Sequence, residues 1–385
     1  MAANFIAHII LWLSGFVFFS RVPVCHNKKA NNSSRPTVSI VVPARNEETS
    51  IPNLLRSLQG QVKADDEIIV VDDHSEDNTA AVAEQEGAKV IIKSKEMPPG
   101  WTGKTWACYQ GAQSANGKLL IFLDADTVIE DGGLDGIISS CGESNGVLSI
   151  QPYHKMRKLY EQLSAFFNLI LMAAMGSFTI LGRKAKPLGL FGPVIALEKK
   201  LYFESGGFEK VKSEILEDLA LGTEFKKQGV KLHCYGGRHT VSFRMYPGGI
   251  SQLITGWSKG FAMGAVKTSI PVLIMVIAWI AGATGTTRYL LQAAIITDIS
   301  PVTLWGLLYI AYAIQIYWML YRIGNFKPYT ALLFPIPLLF FLIVFVYSFV
   351  IIFLLRKVNW KGRTIEVKSR GKNAGTSPDS HHHPD

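Results

Sequence analysis

The sequence GKLLIFLDAD, residues 117–126, joins an apolar run to two aspartates. Consecutive apolar residues that follow a glycine are typical of a buried strand, which predicts a strand over residues 118–123. Asp124 and Asp126 come directly after it, at its expected carboxyl end. Paired carboxylates can bind a divalent cation, but an isolated Asp-x-Asp is more often a solvated turn. The elements around this stretch decide between the two interpretations.

Strands and helices alternate along the chain before this stretch. Apolar runs rich in β-branched residues predict three further strands, at residues 37–42, 67–71 and 88–92. Apolar spacing and capping residues predict the helices, which are 51–58, a segment from Ser75 or Asp77 to Gly87, and 104–115. This order is typical of an α/β fold with a mostly parallel sheet flanked by helices.

A second acidic pair, Asp72-Asp73, ends one of these predicted strands. Ligands of parallel sheets bind at the carboxyl ends of the strands, so this pair and the motif at residues 124–126 are expected to face one crevice. Mg²⁺ or Mn²⁺ bound there could stabilise the charge that develops on a diphosphate leaving group. Lys104 opens a predicted helix, where backbone amides and its ammonium could face phosphate.

A third acidic pair, Glu217-Asp218, lies in the segment ILEDLALG at residues 215–222. A hydroxyl nucleophile has a pKa far above neutrality, so its attack on a sugar needs a base within hydrogen-bonding reach. Either carboxylate could be that base. At the start of a helix, both could equally be charges that interact favourably with the helix dipole.

Together these motifs resemble those of the family-2 glycosyltransferases, over about residues 36–260. That family has the GT-A nucleotide-diphospho-sugar fold, so the resemblance implies a mostly parallel sheet flanked by helices. It also implies that the chain moves a sugar from a nucleotide-sugar donor by an inverting displacement that Mg²⁺ or Mn²⁺ assists. The resemblance favours UDP-glucose as the donor.

The resemblance implies a role for each matching position. Four residues would hold the nucleoside, namely Pro43, Ala44, Glu47 and Asp73. Lys104 would lie near the diphosphate, Asp124 would also face the nucleotide, and Asp126 would bind the metal. Asp218 would be the general base, with Glu217 as the alternative.

Several shorter segments resemble the glycosyltransferases that esterify carotenoid acids. They are GKTWACYQG at 103–111, LSIQPYH at 148–154, FGP at 191–193, FRMY at 243–246, GWSK at 256–259 and WKGR at 360–363. This resemblance implies a lipophilic acceptor, a carotenoid acid or another lipid, at the membrane surface. In that group a glycine follows the glutamate of the base motif. This chain has Asp218 there, which keeps Glu217 open as the base.

Two residues near the end of the domain, Arg244 and Trp257, are further candidates. Arg244 is expected near the diphosphate, although FRMYPGG at 243–249 could be a plain turn. Trp257 could stack on a sugar or lie at the level of the lipid headgroups. Processive members of the family carry Gln-x-x-Arg-Trp, whereas this chain has QLITGW at 252–257, longer by one residue and without the arginine. That difference favours transfer of a single sugar over polymer synthesis.

Apolar segments lie at both ends of the chain. Residues 4–20 predict an uncleaved anchor, and 267–284, 301–321 and 333–355 are each long enough to span a bilayer. The first segment is followed by basic residues, which favours a cytoplasmic domain held at the cell membrane; they are Arg21, Lys28, Lys29 and Arg35. The predicted organisation is an anchor and linker over 1–35, a cytoplasmic glycosyltransferase domain over 36–245, an interfacial segment over 246–266, membrane helices over 267–355 and a basic flexible tail over 356–385.

The apolar segment at residues 164–181 needs a different interpretation. A single span there would place Asp126 and the Glu217-Asp218 pair on opposite sides of the membrane. A shared site therefore predicts that 164–181 is an interfacial or domain-buried helix. A short or re-entrant segment within 285–300 would bring the basic tail to the cytoplasmic side.

Composition narrows the possible functions. The net charge is +9, but many basic residues flank the apolar segments, which favours contact with anionic lipids over nucleic acid. The four cysteines have neither metal-type nor paired spacing and are expected to be free thiols; they are Cys25, Cys108, Cys141 and Cys234. Two other functions stay open, a polysaccharide synthase and an inactive membrane scaffold or transporter. Retention of every motif aspartate argues against the inactive scaffold.

Overall fold

The computed structural model describes residues 2–26, 35–88, 90–214, 216–258, 261–296, 299–351, 357–360 and 363–366. The strands are β1 (Val38–Ala44), β2 (Glu67–Asp72), β3 (Val90–Lys93), β4 (Leu119–Leu123), β5 (Thr127–Ile129), β6 (Gly146–Gln151), β7 (Tyr153–His154), β8 (Val194–Glu198), β9 (Lys231–Gly236), β10 (Val241–Phe243), β11 (Lys357–Trp360) and β12 (Arg363–Glu366). The α-helices are α1 (Ala2–Phe18), α2 (Ile51–Leu58), α3 (Thr79–Gln85), α4 (Gly103–Ser114), α5 (Gly133–Ser144), α6 (Ala165–Ala174), α7 (Lys199–Ser205), α8 (Glu217–Lys227), α9 (Ile250–Ser258), α10 (Phe261–Lys267), α11 (Ile270–Ile296), α12 (Ile299–Ile323), α13 (Pro328–Leu332) and α14 (Pro335–Phe349).

Seven strands form one sheet in the order β3-β2-β1-β4-β8-β6-β9. β8 is antiparallel to its neighbours β4 and β6, and the other adjacent pairs are parallel. The mostly parallel sheet expected from the sequence is therefore confirmed, with one antiparallel strand that the sequence does not predict. Val41 pairs with Phe122, and Pro43 pairs with Val71. The carboxyl ends of β1, β2 and β4 consequently lie at one edge of the sheet.

Helices cover both faces of the sheet. On one face, the i, i+3, i+4 and i+7 residues of α2 are all buried; they are Ile51, Leu54, Leu55 and Leu58. They pack in one cluster with Ile40 and Val42 of β1, so the apolar spacing predicts both the helix and its bounds. On the other face, Ala107 and Cys108 of α4 pack with Val41. All four cysteines are buried and free, as the sequence predicts.

Helix α3 begins at Thr79, later than a cap at Ser75 or Asp77 would place it. Ser75 is held in the turn after β2, because its hydroxyl and amide donate to Asp72. Asp77 Oδ1 accepts from the Thr79 amide at 3.0 Å, so Asp77 still satisfies a donor in the first turn. β3 likewise begins later than predicted.

Two helices, α11 and α12, are long and apolar enough to cross a membrane by length and composition, with 27 and 25 residues. Helices α1 and α14 are apolar but shorter, with 17 and 15 residues. The end of the span predicted at 333–355 lies outside the described residues. Apolar side chains on the outer faces of these helices are exposed, among them Ile277, Leu307 and Ile343. Such a surface suits contact with lipid.

The sequence left a short or re-entrant segment within 285–300 open, and residues 285–296 of that range belong to one long helix. Helix α11 continues through GTTRYLLQAAII, residues 285–296, which contains no proline. Its threonines also satisfy carbonyls of the preceding turn, since Thr287 Oγ1 donates to Ala283 O at 3.0 Å. Of the predicted tail, β11 and β12 form an antiparallel pair, and the rest lies outside the described residues.

The apolar segment at 164–181 contains a short buried helix, α6. Ten residues of helix extend about 15 Å, half of the roughly 30 Å that a bilayer core requires. Phe167 stacks on Trp257 of α9, and Phe166 packs against Trp279 of α11. The sequence left an interfacial and a domain-buried helix open, and the structure shows a largely buried one that packs against α11.

Candidate active site

One cavity of about 610 Å³ lies at the edge of the sheet where β1, β2 and β4 end. Its lining includes ten of the eleven residues that the sequence predicts for the site, namely Pro43, Ala44, Glu47, Asp73, Lys104, Asp124, Asp126, Glu217, Asp218 and Trp257. The structure therefore brings together residues that are far apart in the chain. The exception is Arg244.

Strand ends and a helix start position the polar residues. The Asp73 amide donates to Ala44 O at 2.8 Å, which ties the ends of β1 and β2 together. The Asp124 amide donates to Pro193 O at 3.0 Å and thereby fixes the start of the Asp-x-Asp motif. Lys104 lies in the first turn of α4, where Thr102 and Thr105 form a capping box.

Lys104 is surrounded by three carboxylates. Its Nζ lies 3.0 Å from Asp124 Oδ1, 3.3 Å from Glu217 Oε1 and 3.8 Å from Asp218 Oδ2. Burial alone would lower the pKa of Lys104, but the three carboxylates raise it well above its usual value. The ammonium is therefore charged, and it links the strand that carries the Asp-x-Asp motif to the helix that carries the third acidic pair.

Three carboxylates surround the single ammonium of Lys104, so negative charge exceeds positive charge in this part of the site. Burial, together with Glu217 and Asp124, raises the pKa of Asp218 to about 8 in spite of Lys104. Asp218 Oδ1 is buried and has no hydrogen-bond partner in the described part of the chain. An oxygen of this kind, buried at the wall of a cavity, is available to a ligand that donates a proton or carries positive charge.

Gly192 lies against Asp218, and we predict that Gly192→Ala lowers sugar transfer by about 10²-fold. A Cβ at Gly192 would overlap the Asp218 carboxylate and displace it, and small misplacements of reacting groups cost about this much. The measurement is kcat/KM of the detergent-purified protein, with its thermal midpoint. Gly142→Ala is the matched control, because a Cβ there meets nothing within 4 Å. Wild-type activity in Gly192→Ala would show that the position of Asp218 is unimportant.

The carboxylates at the end of β4 fit a divalent cation. Burial raises the pKa of Asp126 to about 7, with Asp124 and Glu47 adding to the shift. Mg²⁺ and Mn²⁺ prefer oxygen ligands, and many sites use one or two carboxylates with substrate phosphates and water. Within the described ranges, no group of three or more His, Cys, Asp or Glu residues is arranged to hold an ion. The donor set therefore suits an ion that also takes ligands from a bound diphosphate.

The side chain of Asp73 lies next to Gly103, the first residue of α4. This side chain is buried, and Oδ2 lies 3.7 Å from Arg45 Nη1. A Cβ at Gly103 would overlap this carboxylate, so a glycine is required where α4 begins. Glu47 is fixed by its amide, which donates to Thr79 Oγ1 at 2.8 Å. These contacts hold two of the four residues expected at the nucleoside.

Arg244 is placed differently from the sequence expectation. Its Nε donates to Glu161 Oε1 at 3.0 Å, and its guanidinium forms an ion pair with the same carboxylate. Glu161 is buried and also accepts the Lys158 amide, so it needs the charge of Arg244 as compensation. Arg244 does not line the cavity, and its contact with the diphosphate stays a prediction.

Trp257 is buried in the packing between α9 and α6. Its ring stacks on Phe167 at 4.9 Å with an interplanar angle of 15°, and Nε1 donates to Ser164 Oγ at 3.3 Å. It also lines the cavity, at its apolar side. Phe167 covers one face of the ring, and stacking of Trp257 on a sugar stays a prediction.

The sequence does not predict the apolar side of the cavity. Residues of α6, α9, α10 and α11 line it, together with Phe191, Met245 and Tyr246. These three residues belong to two motifs, FGP at 191–193 and FRMY at 243–246, that resemble carotenoid-specific segments. The sequence therefore contained a signal for the apolar side of the cavity, but the two motifs did not show that their residues line the same cavity.

Comparison with known proteins identifies a family for this chain. The alignments with its relatives cover most of both chains. Residues 39–189 match the model of the family described as Glycosyl transferase family 2. The chain is 34% identical over 361 residues to a 4,4′-diaponeurosporenoate glycosyltransferase of Staphylococcus haemolyticus, covering 92% of this chain and 96% of that protein. It is 33% identical over 349 residues to a protein of the same name from Staphylococcus aureus, covering 89% and 92%.

Solved structures of similar fold include a mannosyltransferase, PcManGT from Pyrobaculum calidifontis, in complex with GDP-Man and Mn²⁺. It has a TM-score of 0.49 and 16% identity, with 90% of this chain and 96% of that chain covered. The Mycobacterium tuberculosis glucosyl-3-phosphoglycerate synthase, in complex with Mn²⁺, UDP and glucosyl-3-phosphoglycerate, has a TM-score of 0.40 and 18% identity. There, 64% of this chain and 88% of that chain are covered.

Proposed function

Because this chain belongs to glycosyl transferase family 2 and has its GT-A fold, we propose that it moves a sugar from a nucleotide-sugar donor to a lipophilic carboxylic acid at the membrane surface. Membership of this family argues against the alternative that the chain is an inactive membrane scaffold or transporter. One observation carries the proposal: a single cavity has the carboxylates and Lys104 at one side and apolar side chains, some from membrane helices, at the other. A site of this composition suits a charged donor and an apolar acceptor.

The acceptor in this proposal is a carotenoid acid. The relatives with 33–34% identity are named for diaponeurosporenoate, a carotenoid carboxylate, and the apolar side of the cavity is compatible with a polyene chain. The catalytic domain, residues 36–245, would face the cytoplasm, with 246–266 at the membrane interface. This arrangement would let the acceptor stay in the bilayer while the donor arrives from water.

The donor in this proposal is UDP-glucose. The nucleoside would be held by Pro43, Ala44, Glu47 and Asp73, all of which line the cavity. Lys104 would contact the diphosphate, because it already lies between three carboxylates and can exchange one of them for a phosphate oxygen. Asp126, with Asp124, would hold Mg²⁺ or Mn²⁺. When bound, the ion supplies positive charge for the departing diphosphate.

The proposed step is a single displacement with inversion at the sugar. A carboxylate oxygen of the acceptor attacks the anomeric carbon, and the bond from that carbon to the diphosphate oxygen breaks. The electron pair leaves with the nucleotide diphosphate, and an ester of the acceptor is formed. An ionised acid carries no proton on its attacking oxygen, so it needs no base, whereas Asp218 or Glu217 would accept the proton of a hydroxyl acceptor.

The experiment that tests the function is release of nucleotide diphosphate by the detergent-purified protein from a panel of nucleotide sugars. Reactions contain Mn²⁺, Mg²⁺ or EDTA, with and without a carotenoid-acid extract. We expect release that requires the metal, rises with the extract and yields a glycosyl ester that alkali cleaves. Release that the extract does not change, with a polymer as product, would favour a polysaccharide synthase. No release and no metal-dependent nucleotide binding would contradict the proposal.

A further inference from the structure

The apolar side of the cavity forms a chamber whose residues come from four helices. We define this apolar chamber by Leu171 of α6, Trp257 of α9, Phe261 and Gly264 of α10, and Leu273 of α11. Helix α11 is long and apolar enough to cross a membrane. The chamber therefore extends from the edge of the sheet to the level of the membrane helices.

Tyr246 lies at the junction between the chamber and the acidic residues. Its backbone has a φ of 55°, which is rare for a bulky side chain and costs free energy unless neighbouring contacts enforce it. Its ring packs so closely on Gly256 that a Cβ at Gly256 would overlap the ring. The rings of Tyr246 and Trp257 form a T-shaped pair, with 5.7 Å between their centroids. Burial, with Asp126 as a second cause, raises the pKa of Tyr246. Tyr246 thus contacts the chamber while lying within electrostatic range of the proposed metal ligand.

The outer surface beside the chamber is apolar and exposed. Val266 and Ile270, which flank the lining residue Thr268, are 68% and 71% exposed. Ile180 and Leu181, which follow α6 in the sequence, are also exposed. Large aliphatic side chains at such exposure mark a surface that contacts lipid in a chain with membrane helices.

Gly264 leaves space open in the chamber wall. It lines the cavity, and a Cβ at this position would meet nothing within 4 Å. We propose that the polyene chain of the acceptor lies in the apolar chamber and is selected for width by the absence of a side chain at Gly264. This inference rests on the proposed function for the identity of the acceptor. Its structural part, binding of an apolar acid in the chamber, can be tested without sugar transfer.

The test fills the chamber by Gly264→Phe and, as a second variant, Ala265→Leu, whose position also lines the cavity. Val266→Phe is the matched control, because it adds bulk to the same helix at an exposed position. The probe is all-trans-retinoic acid, a polyene monocarboxylic acid, and its binding is followed by quenching of tryptophan fluorescence. Binding of UDP with Mn²⁺ reports whether the donor side is intact, and transfer to the carotenoid acid is measured in parallel.

We expect Gly264→Phe to weaken retinoic-acid binding by about 10-fold or more while UDP binding stays unchanged, since overpacking of a site has an effect of this order. Val266→Phe should bind like the wild type. Unchanged retinoic-acid binding in Gly264→Phe, or an equal loss in Val266→Phe, would overturn the inference. Loss of UDP binding in both chamber variants would also overturn it, because the open space would then be required for folding. Selective loss of acid binding without sugar transfer by the wild type would support the chamber and contradict the proposed function.

Discussion

Asp126→Asn is expected to lower sugar transfer by about 10³-fold or more, which corresponds to about 4 kcal/mol of transition-state stabilisation. The change removes the carboxylate of a side chain whose neighbours include Asp124 and Glu47. It keeps the size of the side chain, so the packing at the end of β4 is retained. The measurement is kcat/KM for the nucleotide sugar as a function of Mn²⁺ concentration.

Asp65→Asn is the matched control for Asp126→Asn, because Asp65 is exposed and does not line the cavity. It should leave kcat/KM unchanged. Asp126→Asn should also lose the metal dependence of nucleotide binding, since a neutral amide is a weaker ligand for Mg²⁺ or Mn²⁺ than a carboxylate. An Asp126→Asn protein that transfers sugar at the wild-type rate with unchanged Mn²⁺ dependence would exclude Asp126 as the metal ligand.

Asp218→Asn is expected to lower transfer to a hydroxyl acceptor by about 10²–10⁴-fold, the range that general bases contribute. With a carboxylic acid acceptor the loss should be smaller, about 10-fold, because the attacking oxygen carries no proton. Glu217→Gln is the comparison that identifies the base. If Glu217→Gln has the larger effect on the hydroxyl acceptor, the role passes from Asp218 to Glu217, which the sequence leaves open.

The pH dependence of the same reaction gives a second readout. Burial raises the pKa of Asp218 to about 8, so the carboxylate form that can accept a proton increases as the pH rises through 8. The kcat/KM for a hydroxyl acceptor should therefore rise with pH up to about 8 and level off above it. Asp218→Asn should remove that rise. A wild-type profile that falls between pH 6 and 8 would contradict the assignment.

Local sequence patterns predicted the elements that place the donor side of the site. The apolar spacing over 51–58 gave α2 with its observed bounds, and the run 118–123 gave β4 with Asp124 and Asp126 at its end. These patterns succeed because side chains on one face of a helix or strand are close in sequence. The resemblance to a family supplied the roles, and the structure placed ten of the eleven residues around one cavity.

Features that depend on distant contacts were not predicted. Glu161 precedes Arg244 by 83 positions, and no local pattern around the arginine indicates that a buried carboxylate will bind it. The same holds for Gly192, whose need to be glycine follows from Asp218 on another element. The apolar residues of α10 and α11 have a pattern that membrane insertion alone explains. Their second use, as the wall of a cavity, requires the fold.

The short buried helix α6 has a consequence for how this protein can be divided. Phe167 packs against Trp257, Phe261 and Phe341, and Phe166 packs against Trp279. A chain cut near residue 260 would lose most of these partners and expose the aromatic face of α6 beside the active site. The sheet domain is therefore not a module that can be separated from the long apolar helices. In evolution, changes in these helices and changes in acceptor preference are expected to be inherited together.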